Sequence, residues 1–84
     1  MSSEKAARVG QRRRARNAPI RTFARSRIAR ARRLIVGKDI PAAEEAVLAA
    51  VVALDKAARK GVLPRKNAAR RKSRLMKMLN AAKA

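Results

Sequence analysis

Cysteine, histidine, tryptophan and tyrosine are all missing from this 84-residue chain, and five acidic residues stand against 24 lysines and arginines. Each shortage excludes something. Without cysteine no disulfide can staple a small domain, and without cysteine or histidine there is no zinc site. Phe23 is the lone aromatic, and much of the 48% apolar content is alanine. A core of large interlocking rings is therefore out of reach in a chain already at the size where one core is marginal. Catalysis lacks its usual groups as well. No Gly-rich phosphate loop is present, and Glu44 and Glu45, as helical neighbours, would point about 100° apart rather than act as an acid–base pair. We expect no enzyme, no metal site, no cofactor and no small-molecule substrate. No apolar run approaches the roughly 18–20 residues that span a bilayer. The N-terminal residues lack the apolar stretch of a secretory signal. An Arg-rich organellar transit peptide fits poorly, since its Arg cluster would be too dense and the remainder too short. The expectation is a cytoplasmic protein with no membrane partner and no homo-oligomer.

What is present is charge. A net +19 is the footprint of a polyanion binder, since such self-repulsion opposes compaction until phosphates offset it. The charge is unevenly spread. The stretch Asp39–Gly61 (DIPAAEEAVLAAVVALDKAARKG) holds four of the acids and the densest aliphatic run. It reads as a near-neutral packing helix between two basic ones.

Apolar residues recur at three or four residues and nowhere at two, which predicts an all-α chain. The expected architecture is a three-helix bundle, formed as a single domain over residues 1–84. Its helices lie at 20–36, 40–60 and 67–82, preceded by a basic arm at 1–18 that is ordered only on a polyanion. In the arm, Arg8, Arg12 and Arg16 share a helical face with little to bury. Pro19 predicts either a kink in one long basic helix or a restart with Asn17 as N-cap. Ile20, Ala24, Ile28, Ala31 and Ile35 then form a seam, which Phe23 and Leu34 widen, while Arg21 and Arg25 lie mainly off it. Gly37 is the expected C-cap. In the second helix Asp39 is the N-cap, Glu44 and Glu45 sit near the positive end, and Ala43, Val47, Ala50, Leu54 and Ala57 make the seam. Leu48, Val51, Val52 and Ala58 broaden it. Gly61 ends the helix. The third helix starts near Lys66 or Asn67, with Asn67 a candidate cap. Its seam is Ala68, Leu75, Leu79 and Ala82, supported by Met76 and Met78.

Two cation clusters stand out, Arg12–Arg16 and Lys66–Lys77. Arginine predominates, and its planar fork pairs bidentately with phosphate and stacks on bases. Ser73, Asn17 and Asn67 can add hydrogen bonds to phosphate or 2′-hydroxyl oxygens. Sheet-borne stacking aromatics and helix-turn-helix spacing are absent, which leaves recognition of nucleic-acid backbone shape by charged helices. A histone-like DNA-binding and compacting protein is the alternative from another functional class.

The blocks QRRRARN (Gln11–Asn17), LDKAARKGVL (Leu54–Leu63) and NAARRKSRLMKMLNA (Asn67–Ala81) resemble the bacterial small-subunit ribosomal protein twenty family over about residues 4 to 82. The resemblance implies a three-helix bundle with a long first helix. It also implies direct binding to small-subunit (16S-type) ribosomal RNA early in ribosome assembly. Carried over residue by residue, it assigns RNA contacts to Arg12, Arg13, Arg14, Arg16 and Asn17, and to Arg70, Arg71, Lys72, Ser73 and Arg74. Arg8, Arg21, Arg25, Lys66, Asn67 and Lys77 complete the candidate RNA-binding set. Pro19, Pro64 and Lys66 depart from the residues usual in that family.

Overall fold

The computed structural model describes the backbone of residues 2–84 and the side chains of residues 15–84. Three helices follow one another: α1 (Ser2–Val36), α2 (Ile40–Arg59) and α3 (Arg65–Lys83). At about 1.5 Å per residue the 35 residues of α1 span roughly 52 Å, against roughly 30 Å for α2. The molecule is accordingly elongated, 59 × 20 × 15 Å. Helix α2 packs on both neighbours more extensively than they pack on each other, so the near-neutral segment is the spine of the bundle.

The first helix runs unbroken through Pro19, so Asn17 is a mid-helix residue and not a cap. A proline here removes the bond to the carbonyl four residues back. Ala15 and Pro19 are both exposed, so water can reach that carbonyl. The first buried α1 side chain among the described ones is Ala24, followed by Ile28, Ala31 and Ile35. The bundle proper therefore begins one turn after the proline.

The core is built from small residues. Alanines 24, 31, 43, 46, 50, 53, 57 and 68 are buried with Ile28, Ile35, Val47, Leu54, Val62, Leu75 and Leu79, and only Leu54 and Leu75 are large side chains sealed almost completely. Such alanine seams let helix backbones approach closely, and leave most of the burial to a few aliphatics. The expected α2 seam is buried in full. Leu48 and Val52 nevertheless face solvent, while Ala46 and Ala53 take the buried places beside the seam. Phe23 and Met76 are also about half exposed, contrary to the core roles expected of them, whereas Met78 packs partly buried against the cluster. Periodicity groups residues by face, but α2 has only two neighbours, and its third side is left to water.

Both turns close as six-residue Schellman motifs. After α1, the Lys38 N–H donates to the Ile35 carbonyl (3.0 Å) and the Asp39 N–H to the Leu34 carbonyl (3.1 Å). The left-handed residue is Lys38 (φ 58°) rather than Gly37. Gly37 matters for space instead, because a Cβ there would lie 3.3 Å from the Arg33 carbonyl oxygen. After α2, Gly61 (φ 73°) takes the left-handed place, with the Gly61 N–H donating to the Ala58 carbonyl and the Val62 N–H to the Ala57 carbonyl.

Asp39 is the α2 N-cap by position, and its carbonyl accepts from the Ala43 N–H at 2.8 Å, but its side chain makes no capping bond. Glu44 and Glu45 fall in the second turn, past the reach of the dipole end. Helix α3 begins at Arg65 with Pro64 as N-cap, so Asn67 lies inside its first turn rather than capping it.

Candidate nucleic-acid interface

Helical geometry sorts the cations of α3 into three groups. Successive residues advance about 100° around the axis, so Arg71 and Lys72 flank the buried line Ala68–Leu75–Leu79 on opposite sides. Lys66, Arg70, Ser73, Arg74 and Lys77 project from the far face, and all five are exposed. This outer stripe covers roughly 16 Å of helix.

On one flank, Lys72 turns toward α2. Its Nζ lies 2.9 Å from Asp55 Oδ1 and donates a hydrogen bond to it. A second ion pair, Lys83 Nζ to Glu44 Oε1 at 2.9 Å, ties the end of α3 to the start of α2. These are the two ion pairs among the described residues. All four partners are partly exposed, so each pair contributes at most about 1 kcal/mol.

On the other flank, Arg71 meets α1. Arg21, Arg25 and Arg71 line a recess of about 40 Å³ whose remaining walls are Ala24, Ile28, Leu54 and Leu63. Three arginines from two helices thus line a recess with an apolar floor and no carboxylate in its lining. The Arg71 Nε–H donates to Asn67 Oδ1 at 2.7 Å. That bond fixes one edge of the guanidinium and leaves its two terminal nitrogens as donors, the fork that suits phosphate. Asn67 thus acts on Arg71 instead of on the helix end.

The start of α3 adds to this charge. Arg65 and Lys66 sit at the positive end of the helix dipole, with no acid in the first turn and no side-chain cap. Unsatisfied N–H groups and like charges together make this end favourable for an anion.

Of the remaining sequence-predicted residues, Arg16 is exposed and lies roughly 140° around α1 from Arg21. Asn17 is half-buried, one turn before Arg21 on the same side. The side chains of Arg8, Arg12, Arg13 and Arg14 lie outside the described residues. Sequence reasoning overlooked Arg27, whose guanidinium stacks 4.8 Å from the Phe23 ring centroid. The four-residue Phe–Arg spacing was the available signal. Among the described residues no helix is long and apolar enough to cross a membrane.

The fold and surface define a class: a small three-helix protein with strongly cationic outer faces. The chain belongs to the family described as Ribosomal protein S20, whose model matches residues 1–80. This is a family of ribosomal structural proteins and not of enzymes. Relatives named small ribosomal subunit protein bS20 include one from Thermomicrobium roseum, 48% identical over 80 residues, covering 95% of this chain and 81% of the relative. Another, from Dehalococcoides mccartyi, is 44% identical over 81 residues, covering 96% and 92%. One from Bacillus cereus is 44% identical over 80 residues, covering 95% and 94%.

Proposed function

We propose that this protein is a structural constituent of the small ribosomal subunit that binds 16S-type ribosomal RNA directly and holds converging RNA segments in register. The observation that carries the reading is the convergence of Arg21, Arg25 and Arg71 from two helices without an intervening carboxylate. Family membership supplies the ribosomal setting. Phosphates from one RNA segment meet the three-arginine recess, and the outer stripe of α3 meets another. The half of α1 before Pro19 carries Arg8, Arg12, Arg13, Arg14 and Arg16 to RNA beyond the bundle. The site of action is the bacterial ribosome in the cytoplasm, with the protein present as a monomer.

Sedimentation of a cell lysate tests this reading. The protein should run with the small ribosomal subunit and leave it at high salt. Recovery on nucleoid DNA would favour a histone-like role and overturn the proposal. With on the order of 8 phosphates neutralised, log K for RNA should fall against log salt with a slope of about −6 to −7. Like charges along residues 2–18 weaken that half of α1 in the absence of RNA, so binding raises its helical population. Circular dichroism should therefore show more helix in the complex than in the separated components, and equal helicity would refute that coupling.

A further inference from the structure

We propose that the open groove between α1 and α2, on the side of α1 away from the three-arginine recess, seats one unpaired RNA base. The inference rests on the RNA-binding reading above and adds a second, chemically different contact to it.

Phe23 supplies the first observation. A bundle with few large core side chains would gain most from burying its lone aromatic, yet that ring is 52% exposed. Leu48 at 66% and Val52 at 58% are exposed beside it, and all three line one groove of about 520 Å³. Scattered exposed apolar residues need no explanation, but a grouped set marks a contact surface.

The rim identifies the occupant. Arg27 and Lys56 stand at the groove, and Arg27 already lies over the Phe23 ring. An aromatic face with a stacked guanidinium suits a splayed-out base, while the two cations suit its flanking phosphates. Glu45 shares the groove and makes no ion pair among the described residues. A carboxylate repels phosphate but accepts hydrogen bonds from the amino edge of a base. An acidic partner helix would meet Glu45 as a like charge, and a second copy of this chain would bring another +19.

The test uses the full chain and two synthetic RNA hairpins of equal length, one fully paired and one with a single bulged guanosine. Wild type should bind the bulged hairpin about 10-fold more tightly at fixed salt, the size expected for one stacked base. Phe23→Ala should abolish that preference while leaving affinity for the paired hairpin unchanged. Phe23→Trp should retain the preference and show fluorescence quenching by the bulged hairpin alone. Glu45→Ala should narrow the preference. Equal wild-type affinity for the two hairpins would overturn the base seat and leave general RNA binding standing. Binding to neither would overturn both. Phe23→Ala weakening both hairpins alike, or wild type sedimenting as a dimer, would also overturn the seat.

Discussion

The two flanks of α3 use the same kind of residue for opposite ends. Lys72 on the α2 flank meets Asp55, and its charge is absorbed in holding the bundle together. Arg71, its immediate neighbour in sequence, meets Arg21 and Arg25 on the α1 flank. There the recess lining carries three arginines and no carboxylate, and Asn67 accepts a hydrogen bond from Arg71 Nε–H. A rotation of about 100° separates a cation paired with a carboxylate from one grouped with two arginines. The run AARRKSR cannot be scored as a block, because the helix distributes its members among three environments.

The largest effect is expected at Leu54, which is fully buried and forms part of the recess floor. Leu54→Asp places an unpaired carboxylate in that core and should unfold the bundle, seen as loss of the circular-dichroism helix signal. Leu54→Ala should cost about 2–5 kcal/mol in denaturant unfolding. A folded, RNA-competent Leu54→Asp protein would refute the spine role of α2.

Next in size is charge reversal in the recess. Arg71→Glu should lower RNA affinity at least 10-fold with helicity unchanged, because Arg71 is exposed at the rim of the recess and is not itself a buried residue. The two turns give smaller, opposite effects. Gly61→Ala should destabilise by about 1 kcal/mol, although a Cβ would have room, because φ is positive there. Lys38→Gly should stabilise by up to about 1 kcal/mol for the same reason. Smallest of all, Lys72→Ala should cost less than about 1 kcal/mol of stability.

Much of this architecture was legible in the sequence. The α2 seam and the buried α1 residues Ala24, Ile28, Ala31 and Ile35 followed from spacing alone. The misassignments share one cause: a pattern shows which residues share a face but not whether that face has a neighbour. Hydrophobicity alone places Leu48, Val52, Met76 and Phe23 in the core, yet each is half or more exposed. Residue type makes Asn67 a candidate cap, and makes Asn17 one only if the helix restarts at Pro19; α1 is continuous there, and Asn67 holds Arg71. Residue type points to Gly37 as the left-handed turn residue, but it is Lys38, because the Schellman register is set by where the helix stops. For the candidate site, sequence supplied the cations but not their grouping. The meeting of Arg21 and Arg25 with Arg71 depends on how α1 and α3 pack around α2.

The most direct measurement of the central claim is the salt dependence of 16S-type RNA binding for Arg71→Gln and Lys72→Gln side by side. The account predicts that Arg71→Gln reduces the steepness of the log K–log salt plot by about 1, while Lys72→Gln leaves it at the wild-type value. Equal reductions in the two variants, or a reduction in Lys72→Gln alone, would contradict the division of α3 into a structural flank and a binding flank.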